Sequence, residues 1–404
     1  MSFQTSLVET DYLIIGAGVI GLTIARELHS RYPDARITIV EKEPDVAYHS
    51  SGRNSGVLHA GFYYSADSLK AKFTRQGNEL MRQYCYDNHL RINECHKVVV
   101  AQNEEELKSL FELEKRGKAN GVNIKLITAE ELKNYEPNAV TFKYALWSPA
   151  TATVDPVEVN QCMKNELLKK GVTIFFDEPY KGRISGNTIR TAKRNIQAKR
   201  IVNAAGLYAD KVAKDFGYSK DFTIIPFKGI YLKYKGADKP INTNIYPVPN
   251  LKNPFLGVHY TVTVDNIVKI GPTSIPAFWR ENYKSFANFK IGELFHILGW
   301  EARLFLLNSF GFRSLAFEEV KKYNRKYFTH LAVKMVKSID EKGFKEWSKP
   351  GIRAQLLNIH TKELVMDFVV EGDEKSTHVL NAVSPAFTGS MPFAKWTVDN
   401  YIDK

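Results

Sequence analysis

The alternation of apolar and polar residues predicts a strand, a tight turn, a helix and a second strand within the first 41 residues. Residues 12–15 form an uninterrupted apolar run, which is typical of a parallel strand buried on both faces. Helical spacing follows over residues 22–28, and a second apolar strand over residues 36–40 leads into Glu41. Strand and helix alternating in this way predict a Rossmann-like α/β domain.

The middle of the chain has a different pattern. Residues 224–234 and 255–264 alternate like strands with one covered face, which predicts an antiparallel sheet and an α+β chain overall. In the second segment Val258, Tyr260 and Val262 share one face, and His259 and Thr261 share the other. This small, polar face is expected either to form the floor of a substrate chamber or to face solvent. Near the C-terminus, residues 364–370 and 377–380 are predicted strands before a final helix.

The turn between the first strand and helix carries the motif GAGVIG. Gly16 permits the tight turn, Gly18 lets backbone N–H groups approach a pyrophosphate, and Gly21 lets the helix pack closely on the strand. Glu41, twenty residues after Gly21, is placed to accept hydrogen bonds from a ribose. Strand, glycines, helix, strand and terminal acid together predict a dinucleotide site.

The segment after Glu41 favours FAD over NAD, because residues 49–61 form a small, polar, glycine-rich loop instead of another regular strand and helix. Such a loop offers backbone N–H groups to a large, extended ligand. A later apolar strand over residues 200–206 also ends in small residues that permit close approach to the dinucleotide. The residues predicted to bind FAD are Gly16, Gly18, Gly21, Glu41, Lys42, Ser51, Asn54, Ser55, Gly56, Gly206, Pro385 and Thr388.

No internal repeat or low-complexity linker separates the two patterns, so the domains are expected to be interleaved. The FAD-binding domain is predicted at 1–85, 150–220 and 345–404, and the substrate domain at 86–149 and 221–344.

Composition and charge limit the classes of protein to which the chain is expected to belong. Three cysteines without metal-ligand spacing favour a reduced cytoplasmic protein and predict no metal site. The N-terminus has no signal-peptide pattern, and no segment is long and apolar enough to span a bilayer. The net charge of +12 is compatible with an RNA-associated flavoprotein, but the lysines are spread along the chain, so no nucleic-acid partner is expected.

Together these segments resemble the D-amino-acid oxidase superfamily of FAD enzymes and, within it, the L-2-hydroxyglutarate oxidase/dehydrogenase branch. The general motifs are residues 16–21 with Glu41, and NAVSPA at 381–386. More specific to the branch are NSGVLHAG at 54–61, and IYPVP at 245–249 with PFLGVH at 254–259. The matches run from residue 11 to the C-terminal helix. Arg53 and the sequence FTG at 387–389 depart from the branch pattern.

The resemblance implies oxidation of L-2-hydroxyglutarate to 2-oxoglutarate by hydride transfer to flavin N5, with oxygen or a quinone as electron acceptor. His59 and His259 are the candidate bases, since an imidazole titrates near working pH. His59 also has two other interpretations, a covalent flavin link and a core histidine. Arg353 is the predicted carboxylate clamp, and Lys228, Arg280 and Tyr246 are expected to line the substrate site. An amine oxidase of the glycine or sarcosine type shares this architecture and stays the alternative.

Residues 300–328 mix aromatic and basic side chains. This mixture is typical of a helix pair lying on the inner face of an anionic membrane, and also of buried aromatics beside solvated lysines. Both interpretations stay open at the level of sequence.

Overall fold

The computed structural model describes residues 7–236, 238, 240–249 and 257–404. The chain divides into two compact units, each built from separate segments. The first contains Met1–Arg53, Pro156–Ile225 and Arg353–Lys404, and the second contains Asn54–Asp155 and Pro226–Ile352. The first segment of the FAD-binding domain was predicted to end at residue 85, whereas the corresponding segment of the first unit ends at Arg53. Residues 54–85 belong to the second unit because the helix Leu69–Asp87 contacts the strands Val57–Leu58 and Ile92–Asn93 there.

The first unit is built on one mixed sheet with a parallel centre. Leu7–Ile15 pairs in parallel with Ile37–Val40 and with Asn195–Asn203, and the parallel pairing extends to Thr173–Phe175 and Ser376–Asn381. The strands at its antiparallel edges are Tyr180–Ser185, Thr188–Thr191 and Val369–Gly372. The α-helices of this unit are Val19–Arg31, Pro156–Lys169, Ala209–Asp215 and Ser390–Thr397. The short 3-10 helix Gly206–Tyr208 precedes the third of these, and the π-helix Val398–Ile402 follows the fourth.

The second unit contains a sheet that is antiparallel except at one pair. In spatial order its strands are Phe344–Trp347, Leu232–Tyr234, Val268–Gly271, His259–Val262, Asn244–Pro247, Lys97–Val100, Tyr144–Ser148 and Lys125–Thr128. The fifth and sixth of these run parallel. A small sheet contains Val57–Leu58, Ala152–Val154 and Ile92–Asn93. The α-helices of the unit are Leu69–Asp87, Glu104–Ala119, Ala129–Leu132, Ile291–Leu307, Phe312–Lys321 and Arg325–Val333. Its 3-10 helices are Ser309–Gly311 and Glu341–Gly343. A further three-stranded sheet has the order Ile275–Pro276, Phe222–Gly229, Gly351–Asn358.

Both faces of the larger sheet in the second unit are covered. Tyr260 and Val262 pack in one core cluster with Phe328. On the opposite face, Tyr246 packs in a second cluster with Phe62. The polar face that the sequence predicted is therefore real but does not face solvent, since His259 is 3% exposed and Thr261 is fully buried. Residues 255 and 256 of that predicted strand lie outside the described residues.

Two predicted strands are wrong in detail. Residues 224–234 form two strands, Phe222–Gly229 and Leu232–Tyr234, because the Ile230 N–H donates to the Thr273 hydroxyl instead of to a neighbouring strand. The strand predicted at 364–370 begins only at Val369. The side-chain amides of Gln355 and Asn381 donate to the Val365 carbonyl. This carbonyl therefore does not need a hydrogen bond from a neighbouring strand.

Among the residues that the structure describes, no helix has the length and apolar character needed to cross a membrane.

Candidate active site

The dinucleotide motif lies at one edge of the parallel sheet in the first unit. Ile15 pairs with Val40 on one side and with Asn203 on the other, so the three strands end together. Gly16, Glu41 and the segment containing Gly206 follow directly from these strand ends. In open α/β sheets this carboxyl edge is where dinucleotides bind.

The backbone at this edge leaves no room for larger residues at two of the glycines. Gly16 has a positive φ of 106°, and a Cβ there would lie 2.6 Å from the Ala204 carbonyl oxygen. A Cβ on Gly21 would lie 2.0 Å from the Gly16 carbonyl oxygen, as expected of a helix packed closely on its strand. Gly18 is different, because its Cβ would meet only the Ser51 hydroxyl oxygen, at 3.1 Å. Its lack of a side chain is thus not required by packing, which fits a role in leaving space for a ligand.

The N-cap residue of the helix Val19–Arg31 is Gly18, which has no side chain to cap the helix, and the first turn contains no acidic residue. No carboxylate of the helix itself therefore neutralises the positive end of its dipole, which leaves that end able to attract an anion. The Ser51 hydroxyl accepts a hydrogen bond from the Val19 N–H at 2.9 Å, which ties the predicted loop to this helix. A pyrophosphate fits this arrangement.

Glu41 is 9% exposed, and its carboxylate accepts hydrogen bonds from the backbone N–H groups of Ala17 at 2.8 Å and Glu43 at 3.0 Å. Each carboxylate oxygen has a second lone pair, so a ribose hydroxyl can still donate to it. Glu41 thus orders the glycine turn, and its predicted contact with a ribose stays a prediction. The Lys42 ammonium lies 2.7 Å from the His49 Nε2 and also contacts Glu43, so its predicted cofactor contact stays a prediction.

Three other predicted cofactor residues lie elsewhere in the first unit. Gly206, exposed and with a positive φ of 54°, opens the 3-10 helix after the strand Asn195–Asn203. Pro385 and Thr388 are buried in the segment that joins Ser376–Asn381 to the last α-helix.

The remaining predicted cofactor residues, in the loop at Asn54–Gly56, belong to the second unit. The Gly56 N–H donates to the Asn54 side-chain oxygen at 2.8 Å, and the Val57 N–H donates to the Ser55 hydroxyl at 3.3 Å. A residue that the sequence did not single out, Lys269, donates to the Ser55 carbonyl at 3.2 Å. This loop is therefore fixed by its own side chains and by a buried lysine.

The two candidate histidines and Tyr246 come together within the second unit. His259 stacks on the Tyr246 ring, and its Nδ1 lies 2.8 Å from the Gly257 carbonyl oxygen. A carbonyl only accepts, so Nδ1 carries the hydrogen and the neutral ring has its lone pair at Nε2. His59 follows the strand Val57–Leu58 and is 9% exposed. Burial, and then the positive charges of Lys97 and His259, hold the pKa of His59 well below its ordinary value.

Lys97 was missed by the sequence reasoning. Its side chain is fully buried, and its ammonium lies 4.1 Å from the Tyr246 ring centroid, 5.3 Å from that of Tyr63 and 5.6 Å from that of Phe62. Burial lowers the pKa of Lys97 to about 7. The signal was present in the sequence, because a lysine opens the otherwise apolar strand Lys97–Val100. Lys269 is the second residue of the strand Val268–Gly271, and burial lowers its pKa to about 8.

The three predicted cations lie in different places. Lys228 is on the strand Phe222–Gly229 and donates to the Asn282 side-chain oxygen at 3.1 Å, and burial lowers its pKa. Arg280, two residues before Asn282, is 1% exposed. Arg353 is half-buried on the strand Gly351–Asn358 and belongs to the first unit.

Comparison with known proteins gives consistent results. The sequence profile of the family described as FAD dependent oxidoreductase matches residues 11–400. An L-2-hydroxyglutarate dehydrogenase of Escherichia coli is 35% identical over 388 residues, covering 95% of this chain and 90% of that protein. The human mitochondrial L-2-hydroxyglutarate dehydrogenase is 32% identical, covering 96% of this chain and 88% of that protein.

Solved structures share the fold at lower identity. An FAD-bound L-α-glycerophosphate oxidase from Mycoplasma pneumoniae has a TM-score of 0.75 and 22% identity, covering 96% of this chain and 94% of that one. A glycine oxidase from Geobacillus kaustophilus has a TM-score of 0.71 and 18% identity, covering 97% and 94%. With a family profile matched almost end to end and a dinucleotide edge built as FAD requires, the chain belongs to the FAD-dependent oxidoreductase family of the D-amino-acid oxidase type.

Proposed function

We propose that this chain oxidises L-2-hydroxyglutarate to 2-oxoglutarate. The observation that carries the proposal is the similarity to L-2-hydroxyglutarate dehydrogenases from bacteria to human, which extends over 94–98% of the chain at 32–35% identity. The residues of the second unit support it, since a buried neutral imidazole is the group that a hydroxy acid needs as a base. When bound, FAD supplies the acceptor for the hydride that leaves the substrate's C2.

The chain's own contribution begins with the hydroxyl proton. A histidine accepts this proton while the C2–H bond breaks, so the C2–O bond becomes a carbonyl and charge balances. In the neutral His259 ring the lone pair lies on Nε2, because Nδ1 donates to the Gly257 carbonyl. His59 is held neutral by burial and by neighbouring positive charge. The two candidates are distinguished by substitution.

The two carboxylates of the substrate need cations. Arg353 is proposed to bind one of them, because a guanidinium matches a planar carboxylate with two parallel hydrogen bonds. Lys228 and Arg280 are proposed for the other. Burial lowers the pKa of Lys228, and such a desolvated cation gains more from an anionic partner than one in water does.

An anaerobic absorption spectrum of the FAD-loaded protein tests this function. L-2-hydroxyglutarate is expected to bleach the oxidised flavin within the mixing time of the experiment, while its D-enantiomer and glycine leave the spectrum unchanged. Bleaching by glycine or sarcosine instead would assign the chain to the amine oxidases, whose fold it shares. Reoxidation with oxygen or with a soluble quinone analogue then identifies the class of electron acceptor.

We also propose that the protein docks peripherally on the anionic, cytoplasmic face of a membrane, where a quinone acceptor would be reached. The helix Ile291–Leu307 has an apolar side turned outward. Its residues Ile291, Phe295, Leu298 and Leu306 recur at helical spacing and are 62%, 68%, 37% and 71% exposed. The opposite side is buried and contains Glu293 and Glu301 besides Ile297 and Leu304. An ordinary surface helix has a polar side toward solvent, whereas the outward side of this helix is apolar.

Charge favours an anionic bilayer as the occupant of this surface. Between residues 284 and 326 the exposed acidic residue is Glu318, whereas seven basic residues are exposed: Lys284, Lys290, Arg303, Arg313, Lys321, Arg325 and Lys326. Exposed aromatic and aliphatic side chains among basic residues are typical of helices that lie in a membrane interface. Of the predicted basic residues, Lys322 is not available, because it is buried and paired with Glu319. Phe312 and Phe328 are also buried, so these two aromatic residues pack in the core and cannot contact a membrane.

A further inference from the structure

Lys97 carries a buried ammonium group that has no hydrogen-bond partner. Its side chain is fully buried, and among the described residues no acceptor reaches the Nζ atom. The ammonium lies over aromatic rings, 4.1 Å from the Tyr246 centroid and 5.3 Å from the Tyr63 centroid. Ring faces recover only part of the free energy that an ammonium loses on leaving water. A carboxylate would be a better partner for this charge than the rings are.

The register of the sheet places Lys97 on the same face as the candidate base His259. Lys97 and Val99 alternate along one strand, and Val99 pairs with Tyr246 on the next. The imidazole of His259 stacks on the Tyr246 ring. Lys269 pairs with the residue two positions after His259, so it projects from this face as well. Two buried lysines and a histidine on one face suit a ligand that carries negative charge.

Lys97 differs from the other buried lysines of the second unit that could meet such a ligand. Lys269 donates to the Ser55 carbonyl at 3.2 Å, and Lys228 donates to the Asn282 side-chain oxygen at 3.1 Å. A carboxylate would have to compete with these two acceptors. At Lys97 it would displace only ring contacts, so the free energy of the new ion pair is offset less.

Tyr63 is the ring through which a ligand would reach the ammonium. It lies between the strand Val57–Leu58 and the helix Leu69–Asp87 and is 9% exposed, whereas Tyr246 is 1% exposed and covered by His259. The Tyr63 hydroxyl is buried and has no hydrogen-bond partner in the part of the chain that the structure describes. Rotation of this side chain would uncover the ammonium, and its hydroxyl could then donate to the same carboxylate.

We propose that the Lys97 ammonium binds the carboxylate of L-2-hydroxyglutarate that is remote from C2, and so determines specificity for a dicarboxylic hydroxy acid. This inference rests on the proposed function. His259 occupies one face of the Tyr246 ring, so the ammonium, 4.1 Å from the ring centroid, must approach the other face. A ligand that reaches both groups has to pass the edge of the ring. The remote carboxylate suits this path because two methylene groups separate it from C2, whereas the other carboxylate is bonded to C2 directly.

Substrate truncation tests this contact in FAD-loaded protein. L-2-hydroxybutyrate keeps the hydroxyl and the carboxylate at C2 but lacks the remote carboxylate. Lys97→Met keeps the length of the side chain and removes the charge. It should lower the second-order rate constant of flavin reduction by L-2-hydroxyglutarate roughly 10–100-fold, and that by L-2-hydroxybutyrate less than about threefold. The rate at saturating L-2-hydroxyglutarate should change less than about threefold, because the contact is made equally before and during the reaction.

The unreactive analogues glutarate and butyrate repeat the comparison without turnover. Their binding is followed by the change in flavin absorbance. The wild type should bind glutarate more tightly than butyrate, and Lys97→Met should lose this preference. Lys108→Met, at an exposed site on the helix Glu104–Ala119, is the matched control and should keep it. Lys97→Gln serves as a second neutral variant, with the same expected results, if Lys97→Met does not fold.

The outcomes separate this inference from the proposed function. A wild-type flavin that L-2-hydroxyglutarate does not bleach would overturn the proposed function. Bleaching in the wild type with an unchanged ratio between the two substrates in Lys97→Met would overturn the inference alone, as would an equal loss with both substrates. If Lys228→Met lowers that ratio and Lys97→Met does not, the remote carboxylate binds Lys228 and the inference is also overturned.

Discussion

His259 stacks on Tyr246, with the two ring centroids 3.7 Å apart and the ring planes inclined by 20°. The contact follows from strand register, since Ile245 pairs with Tyr260 in an antiparallel ladder and the flanking pair shares one face. The stack fixes the plane of the imidazole, and the bond from Nδ1 to the Gly257 carbonyl fixes its tautomer. An imidazole held in both respects would be oriented for the proton transfer proposed for it.

His259→Gln and His59→Gln are expected to separate the two candidate bases. The variant that removes the base should reduce its flavin roughly 10²–10⁴-fold more slowly with L-2-hydroxyglutarate while it keeps FAD. Stopped-flow absorbance measures this rate, and the exposed His330, replaced by Gln, is the matched control. If a flavin that resists acid in the wild type is released in His59→Gln, that histidine is the covalent anchor. Two variants with wild-type rates would exclude both histidines as the base.

The glycines of the dinucleotide motif should respond differently to alanine. Gly21→Ala places a Cβ against the Gly16 carbonyl oxygen and should cost about 1–3 kcal/mol of stability, because neither backbone can move freely. Gly18→Ala meets only the Ser51 hydroxyl, so the protein should fold but bind FAD more weakly. Thermal unfolding of the apoprotein and FAD titration distinguish the two effects.

Gly299 provides the control for these variants. It lies within the exposed part of the helix Ile291–Leu307, and a Cβ there would meet no heavy atom within 4 Å. Gly299→Ala should therefore raise stability by about 0.5–1 kcal/mol and leave FAD affinity unchanged. Equal FAD affinity in Gly18→Ala and the wild type would remove Gly18 from the pyrophosphate contact.

Arg353→Lys tests the carboxylate clamp. A lysine keeps the charge but cannot form two parallel hydrogen bonds, so kcat/KM for L-2-hydroxyglutarate should fall roughly 10–100-fold. The same substitution at the exposed Arg190 should leave the kinetics unchanged. Steady-state assays with a fixed electron acceptor provide the comparison, and wild-type constants in Arg353→Lys would place the clamp elsewhere.

Lys97→Met should make the protein more stable, and the gain should depend on pH. Burial lowers the pKa of Lys97 from 10.5 to about 7, so the unfolded chain holds this proton more tightly than the folded chain does. The lysine therefore destabilises the fold fully below about pH 7, and the penalty fades as pH rises toward 10.5. Chemical unfolding at pH 6.5 and pH 9.5 should show the larger gain at the lower pH. A loss of stability at both values would mean that Lys97 supports the fold.

The sequence predicted the local geometry of the glycine turn better than the surroundings of the candidate bases. Gly16, Gly21 and Glu41 lie on a turn, a helix and a strand end that are close in the sequence, so a local pattern predicts how they pack. Lys97, by contrast, meets Tyr246 only because two strands far apart in the chain pair in parallel. The sequence also could not decide whether the polar face at His259 is open, since that depends on Phe62 and its neighbours covering it.

The helix Ile291–Leu307 makes the membrane proposal testable without disturbing the core. Phe295 and Leu306 are 68% and 71% exposed, so the double variant Phe295→Ser/Leu306→Ser should fold normally and lose binding to vesicles that contain anionic lipid. Ile184→Ser, at a site 51% exposed in the other unit, is the matched control.

Charge reversal provides the second arm of the vesicle experiment. Arg325→Glu and Lys326→Glu fall in the first turn of the helix Arg325–Val333, where acidic side chains suit the helix dipole, so folding should be preserved. With Arg303→Glu added, cosedimentation should weaken, since each basic residue near an anionic surface contributes about 1 kcal/mol. Wild-type binding should also be released by salt. Equal binding to neutral and anionic vesicles, or binding to neither, would contradict docking on an anionic membrane. A concentration-dependent dimer that disappears in Phe295→Ser/Leu306→Ser would instead assign the apolar side of this helix to a second copy of the chain.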